Sequence, residues 1–176
     1  MVAELNRTGI LIDLSHVGAK TSDDAIRLSK KPVAYSHCCP AALKDHPRNK
    51  SDTQLRFIAE RGGFVGVTMF PAFLKCGAQS TLEDYVDTIA YVIDLVGEGH
   101  VGIGTDFTEG YGPDFFHYIV KDKGHARTLT EFGEIKLLEG FARIVDFPNL
   151  TAAMERRGWL ESRIAKIMGE DRKSVV

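Results

Sequence analysis

Three short apolar runs in this chain each end in a side chain that can bind a metal ion or transfer a proton. The runs lead to His16, to His37 and, much later, to Asp106. By the two-residue alternation of a β-strand, each of these side chains shares a face with the alternate residues before it. The carboxyl ends of parallel strands meet where sheets and barrels of this kind place their active sites. The three side chains are therefore expected to converge.

Alternating apolar runs and helical patterns predict an α/β fold with parallel strands and right-handed crossovers. Four strands are recognisable, half the number in a TIM-type (β/α)8 barrel of typically about 250 residues. Such a half-barrel has two unpaired edges, so it is completed by partner material, is a fragment, or is rearranged into an open sheet. The predicted strands are residues 10–15, 33–36, 64–69 and 101–105.

Capping residues mark the helices between these strands. The opening helix is expected to stop at Gly9, and residues 21–24 are expected to cap the second helix. Ser51 is predicted to cap the third helix, and Thr81 with Asp84 forms a capping-box pattern before a long helix. A chain that opens on the tail of a helix suggests that a segment precedes it.

The pattern changes after the last predicted strand. Glycines, prolines and aromatic residues dominate residues 107–148, which are predicted to form a long loop excursion over the site. Helical spacing returns with a cap at residues 149–151 and a last helix at residues 162–168. Because its length is that of one ordinary domain, residues 1–176 are interpreted as one partial barrel domain of about four βα units.

The composition excludes several classes of protein. With 44% hydrophobic and 26% charged residues, the chain has a soluble, globular composition. The net charge of -2 removes the electrostatic case for nucleic acid or an anionic membrane as the partner. No membrane segment or signal-peptide core is visible, and three cysteines form no disulfide framework, so a cytoplasmic location is expected. An upstream signal or anchor would not be visible in this chain.

The side chains at the strand ends favour a metal site. A single strand-end histidine is more often a core or surface residue than a ligand, but two of them with a later aspartate favour zinc. Cys38, next to His37, is an alternative nucleophile or ligand, so a thiol hydrolase stays a further hypothesis. Asp13 has the opposite strand parity and is interpreted as the partner of a ligand.

Several short motifs follow one another along nearly the whole chain. They are Asp-Leu-Ser-His at 13–16, Pro-Val-Ala-Tyr-Ser-His at 32–37, His-Pro-Arg-Asn at 46–49 with Asp52, Gly-Gly at 62–63 and His-Val-Gly-Ile-Gly-Thr-Asp-Phe at 100–107. Each motif is weak alone. In this order and spacing, they resemble the carboxyl-terminal half of the membrane dipeptidase (renal dipeptidase-like) family, peptidase family M19.

The resemblance implies parallel βα units that form the second half of a TIM-type (β/α)8 barrel of the metal-dependent hydrolase kind. It also implies a two-zinc enzyme that hydrolyses dipeptides by a metal-activated hydroxide. One of the two metals is assigned to His16 and His37. Arg48 is assigned to the substrate carboxylate, which suits its planar pair of donors, and Asp106 is assigned to catalytic proton transfer on the amine side.

The chain also departs from that family. The His-x-Asp motif and the bridging Glu of the family's first half have no place here, so at most one zinc site is partly present and the chain alone is expected to be inactive. The alternative is a non-catalytic half-barrel that binds a metal or serves as an assembly module. The unpaired edges predict a homo-oligomer, or completion by a missing amino-terminal half.

Overall fold

A three-stranded parallel sheet with helices packed against it forms the core of the protein. The computed structural model describes residues 1–111, 114–115, 118, 121–122, 127–128 and 136–170. This architecture confirms the predicted α/β class with parallel strands. The strands are β1 Ala34–Cys38, β2 Phe64–Val67 and β3 Val101–Ile103, in the order β1-β2-β3, with a separate antiparallel ladder of β4 Lys121–Asp122 and β5 Arg127–Thr128.

The first predicted strand, residues 10–15, is wrong as a full strand. It pairs with β1 through a single parallel bridge between Asp13 and Ala34. Pairing stops there because the Asp13 carboxylate accepts a hydrogen bond from the Ser15 amide, and this local bond competes with the strand ladder. Ile10 is 56% exposed, since none of the described strands covers this edge.

The same kind of local bond ends the other two strands that were predicted too long. β2 stops at residue 67, two residues before its predicted end, where the Thr68 hydroxyl accepts a hydrogen bond from the Phe70 amide. β3 stops at residue 103, also two residues early, where the Thr105 hydroxyl accepts the Phe107 amide. Side-chain bonds to the amide two residues ahead therefore replace strand pairing at the carboxyl ends of both strands. β1, in contrast, continues two residues past its predicted end, to Cys38.

Several helix boundaries match the sequence prediction. The first helix stops at Gly9, and complete capping boxes begin the third and fourth helices at Ser51 and Thr81. The main α-helices among the described residues are α1 Val2–Thr8, α2 Ala19–Leu28, α3 Asp52–Glu60, α4 Leu82–Val96, α5 Phe147–Arg156 and α6 Glu161–Met168.

Two helices begin earlier than predicted. α2 already includes residues 21–24, because the Ser22 side chain is buried and donates to the Val17 carbonyl instead of capping. α5 begins before the predicted cap at residues 149–151, since Pro148 fits the first turn of a helix, where its missing N–H is not needed. Both errors come from residues that act as caps in one context and as interior residues in another.

Helices α3 and α4 form a layer, the helix layer, whose apolar side chains cover the sheet. Leu55, Ile58 and Ile89 are fully buried in it, and burying a side chain of this size stabilises the fold by about 1.5–3 kcal/mol. The buried Tyr85 hydroxyl donates to the Val67 carbonyl over 2.7 Å, so the one polar atom of that ring is satisfied. The layer gives the strands a rigid base from which their carboxyl ends project.

The loop excursion predicted for residues 107–148 falls partly outside the described residues. Its described end returns to the core, where Leu138 and Phe141 are buried and the Phe141 ring stacks on Tyr85 with centroids 5.8 Å apart. The assignment of residues 1–176 to one domain stays a prediction. Across the described ranges, no helix is both long enough and apolar enough to cross a membrane.

Candidate metal and substrate site

The four predicted site residues lie together at the carboxyl ends of the strands. The Nε2 atoms of His16 and His37 are 2.8 Å apart. A carboxylate oxygen of Asp106 lies 3.9 Å from His37 Nε2, and Arg48 Nη1 donates to His16 Nδ1 over 2.9 Å. The expected convergence is therefore present, while the chemical role of each residue stays a prediction.

Irregular backbone conformation positions two of these side chains, His37 and Asp106. The register of β1 against β2 shifts between Tyr35 and Cys38, and such a bulge re-aims the side chains within it, here including His37. Asp106 has a φ of 58°, the one positive value among the described non-glycine residues. Aspartate tolerates this left-handed conformation better than most residues, and backbone outliers of this kind concentrate at functional sites.

Arg48 lies in the loop between β1 and α3. The side-chain amide of the next residue, Asn49, donates through Nδ2 to the carbonyls of Lys44 and Phe73 over 2.8 and 3.0 Å, which fixes the loop. The guanidinium carbon of Arg48 lies 5.4 Å from the Phe73 ring centroid. Its Nε and Nη2 atoms are buried and have no hydrogen-bond partner among the described residues. Two donors of the predicted substrate-binding fork are thus unused.

Lys50 is a second anchor of this loop that sequence reasoning missed. It is only 4% exposed, its ammonium donates to the Val17 carbonyl over 2.7 Å, and it lies 4.9 Å from the Tyr35 ring centroid. Burial lowers the pKa of Lys50. A lysine two residues after a predicted ligand-binding arginine was the available signal, but nothing local distinguishes a buried lysine from a solvated one.

Asp13 is the centre of a hydrogen-bond network beneath the histidines. Its carboxylate accepts hydrogen bonds from the backbone amides and the side-chain hydroxyls of both Ser15 and Ser36. Partial burial would raise its pKa, but the bonds from Ser36 and Ser15 lower the pKa of Asp13 to about 2. The Ser36 hydroxyl is in turn 2.8 Å from His37 Nδ1. Sequence reasoning missed both serines, although each directly precedes a predicted metal ligand.

The surroundings favour the neutral form of His16. Burial lowers its pKa, the charge of Arg48 and the neighbouring His37 lower it further, and Asp106 and Asp13 oppose this change. Neutral imidazole is the form that binds metal ions. The site therefore favours a neutral imidazole at His16, with the ring of His37 at contact distance.

The thiol hypothesis finds no support in the environment of Cys38. The side chain is 2% exposed, and burial raises the pKa of its thiol to about 12. Reactive cysteines require the thiolate and an accessible sulfur. Cys38 is a buried core residue instead, and its neighbour Cys39 is buried as well.

The two imidazoles form only part of a metal site. In the part of the chain that the structure describes, no group of three or more His, Cys, Asp or Glu side chains could hold a metal ion. Zinc usually has four ligands. The number of zinc sites therefore stays a prediction.

Comparison with known proteins identifies the family. Residues 1–132 match the family described as membrane dipeptidase (peptidase family M19). The chain belongs to peptidase family M19. Dipeptidase tcpJ from Claviceps purpurea is 31% identical over 170 residues, which cover 96% of this chain and 34% of that protein.

Solved structures show the same similarity in three dimensions. An amidohydrolase from Pseudomonas aeruginosa matches with a TM-score of 0.94 and 57% identity, over 99% of this chain and 54% of that one. A metallo peptidase from Rhodobacter sphaeroides, liganded with a phosphinate mimic of the dipeptide L-Ala-D-Ala, matches with a TM-score of 0.78 and 32% identity, over 99% of this chain and 44% of that one. The family match and these structural relatives confirm the predicted family and the barrel-type fold class. The chain spans about a third to half of their length.

Proposed function

We propose that this chain is part of a zinc-dependent dipeptidase, which hydrolyses a dipeptide to two amino acids. The observation that carries the proposal is the pair of imidazole Nε2 atoms 2.8 Å apart, with Asp106 and Arg48 beside them. Membership of family M19 supports it. The dipeptide mimic bound to the Rhodobacter sphaeroides metallo peptidase supports the substrate class.

His16 and His37 would hold one of the two zinc ions of the complete enzyme. Facing imidazole nitrogens with a neighbouring carboxylate are a donor set that suits zinc. A bound zinc ion would polarise the peptide carbonyl and lower the pKa of water. The remaining ligands would come from an amino-terminal half or from a second copy of the chain.

Arg48 would bind the free carboxylate of the dipeptide. A guanidinium binds a carboxylate through two parallel N–H groups, and Arg48 has Nε and Nη2 buried without a partner among the described residues. The Asn49 bonds hold these donors next to the histidines. The distance between Arg48 and His16 would place the carboxylate end of the substrate beside the metal ligands.

Asp106 would accept a proton at its carboxylate and deliver it to the nitrogen of the leaving amine. Its carboxylate lies 3.9 Å from His37 Nε2, and half of its side chain is accessible. A proton-transfer group must be reachable by substrate and within hydrogen-bond range of the reacting atoms. The left-handed backbone at Asp106 fixes the direction in which the carboxylate leaves β3.

A non-catalytic metal-binding half-barrel is the second candidate. The observation that favours it is the lack of a three-ligand group within the described residues. A two-metal mechanism needs ions held about 3.5–4 Å apart, and two imidazoles cannot set that distance. We therefore expect this chain alone to have little or no dipeptidase activity.

Equilibrium dialysis with zinc tests the metal assignment. We expect His37→Ala to lose most zinc affinity, because one of only two imidazole ligands is removed. His100→Ala is the matched control, since His100 Nδ1 contacts the Gly63 carbonyl at the opposite end of the sheet. Equal stoichiometry and affinity in the wild type and His37→Ala would contradict the assignment.

An activity assay separates the two candidates. The purified chain with saturating zinc is tested on a dipeptide panel, alone and after addition of an amino-terminal half from an M19 relative. Activity only in the mixture supports the dipeptidase. Turnover by the chain alone at about 1–10³ s⁻¹ would show that these residues, or a second copy, already complete the site.

A further inference from the structure

The Asp13 network connects the two chain segments that carry the histidines. Ser15 precedes His16, and Ser36 precedes His37. The Ser15 hydroxyl donates to Asp13 Oδ1 over 2.7 Å, and the Ser36 hydroxyl donates to Asp13 Oδ2 over 2.5 Å. The His37 amide donates to Ser15 Oγ over 3.0 Å. One carboxylate thus fixes both segments.

The number of available protons determines which group donates in each hydrogen bond among Asp13, Ser36 and His37. Four donors from Ser15 and Ser36 face the Asp13 carboxylate and favour its ionised form, in which both oxygens can only accept. A serine hydroxyl has one proton, and that of Ser36 is used on Asp13. Ser36 Oγ must therefore accept the proton of the ring nitrogen 2.8 Å away, His37 Nδ1. His37 then carries its proton on Nδ1 and a lone pair on Nε2.

The hydrogen bond from Arg48 to His16 leads to the same tautomer of His37. Arg48 Nη1 can only donate, so His16 Nδ1 accepts over 2.9 Å. The 2.8 Å contact between His16 Nε2 and His37 Nε2 needs one proton, and His16 supplies it because its Nδ1 already accepts from Arg48. Both directions leave the lone pair of His37 on Nε2, the nitrogen that faces the predicted metal position. His16 must move its proton to Nδ1, and so lose the bond from Arg48, before its own Nε2 can bind the same ion.

We propose that Asp13 and Ser36 are positioning residues that hold His37 in its Nδ1–H tautomer, with the Nε2 lone pair directed at the metal position. This inference rests on the proposed function, in which His37 is a zinc ligand. Partners that orient a metal-binding histidine in this way typically change metal affinity by about 10–100-fold when they are replaced. Asp13 and Ser36 themselves touch no substrate or metal in this scheme.

The variant Asp13→Asn makes a specific change to this network. Oδ1 of Asp13 accepts three bonds, from the Ser15 amide, the Ser15 hydroxyl and the Ser36 amide, so the asparagine oxygen takes this position. Its NH₂ group then faces Ser36 Oγ and donates to it. The Ser36 proton is released toward His37 Nδ1, and His37 shifts toward its Nε2–H form, which blocks metal binding.

The experiment measures the tautomer and the metal affinity separately. Nitrogen-15 NMR of the histidine rings in the metal-free chain reports the tautomer of His37, and dialysis with zinc reports affinity. We expect Nδ1–H in the wild type, a larger Nε2–H fraction in Asp13→Asn, and about 10–100-fold weaker zinc binding in that variant. Ser36→Ala, which removes the acceptor, is the second variant and should weaken zinc binding similarly.

Asp52→Asn is the matched control. Asp52 accepts a hydrogen bond from the Tyr91 hydroxyl over 2.7 Å between α3 and α4, so its replacement likewise neutralises a partly buried carboxylate that accepts a hydroxyl. An Nε2–H wild type, or variants at positions 13 and 36 with zinc affinity equal to the control, would overturn the inference. If the wild type shows the expected tautomer and Asp13→Asn changes it, but no form binds zinc, the positioning role stands and the zinc-ligand proposal fails.

Discussion

The two ends of β2 each have a glycine pressed against a neighbouring backbone, with different consequences. A Cβ at Gly63, before the strand, would lie 2.5 Å from the Val33 carbonyl oxygen. A Cβ at Gly66, near the carboxyl end, would lie 2.0 Å from the Ser36 carbonyl oxygen. The contact at Gly63 joins a helix end to the sheet. The contact at Gly66 supports the bulge that carries His37.

The need for a residue without a Cβ therefore has two effects in this sheet: at Gly63 it lets a helix end pack on the sheet, and at Gly66 it lets the bulge with His37 form. Gly104 on β3's carboxyl side is equally close to the Ser36 carbonyl, so two strands leave space for it. No L-residue other than glycine fits at either position without moving Ser36. We infer that the amino end of the sheet determines stability, whereas the carboxyl end also determines the geometry of the candidate site.

At the carboxyl end of the sheet, which carries the candidate site, the largest expected effect of a substitution is on catalysis. Asp106→Asn in the complete enzyme should lower kcat by about 10²-fold or more, because the proton-transfer group is removed. Zinc content should stay near normal, since Asp106 is not assigned as a ligand. Steady-state kinetics with metal analysis check this, and parallel loss of zinc and activity would move Asp106 into the ligand set.

The glycine pair tests the comparison directly. Gly66→Ala should weaken zinc binding by about 10–100-fold, because displacement of Ser36 moves His37. Gly63→Ala should cost a similar free energy of unfolding, about 1–3 kcal/mol, with zinc affinity within twofold of the wild type. Denaturant unfolding and zinc dialysis measure the two quantities. Equal zinc affinities in the two variants would remove the distinction between the ends of β2.

Arg48→Lys should raise KM for dipeptides in the complete enzyme, since a point charge replaces a two-donor contact. The loss of about 1–3 kcal/mol corresponds to roughly 5–150-fold. Substrates without a free carboxylate should be unaffected. Arg56→Lys is the control in the helix layer, where Arg56 donates to the Leu95 carbonyl. An unchanged ratio of the two KM values would refute the role of Arg48.

The smallest effect is expected on the helix surface. Arg156 donates to Glu83 over 2.9 Å, and both side chains are largely accessible. Glu83→Gln should change the free energy of unfolding by about 0–1 kcal/mol, as is usual for exposed ion pairs. Zinc affinity should not change. A change in zinc affinity would show that the helix layer communicates with the site end, contrary to the comparison.

Prediction from the sequence was most accurate for the helix layer. The capping boxes at Ser51 and Thr81 form between residues three positions apart, so the residues that determine the structure lie within one helical turn of sequence. Prediction was least accurate at the strand ends. There, the side chains of Asp13, Thr68 and Thr105 bind the amide two residues ahead and end the strand early. The same side chains are compatible with an extended strand, so pattern alone could not decide.

The candidate site was likewise predicted only in part from the sequence. The strand-end positions of His16, His37 and Asp106 indicated from sequence that these residues converge, and the structure brings them within contact or near-contact distance. The bulge at Ser36 and the burial of Lys50 could not be predicted. Both depend on which backbone approaches from another part of the chain.

The sequence by itself determined the α/β class, the helix layer and the identity of the residues at the carboxyl ends of the strands. Apolar periodicity and local capping encode these features within a few neighbouring residues. Only the tertiary structure decided that Arg48 donates to His16, 32 positions away, and that Asp13 reaches Ser36, 23 positions away. Such contacts depend on sheet register and loop closure, in which the packing of distant segments outweighs local preference.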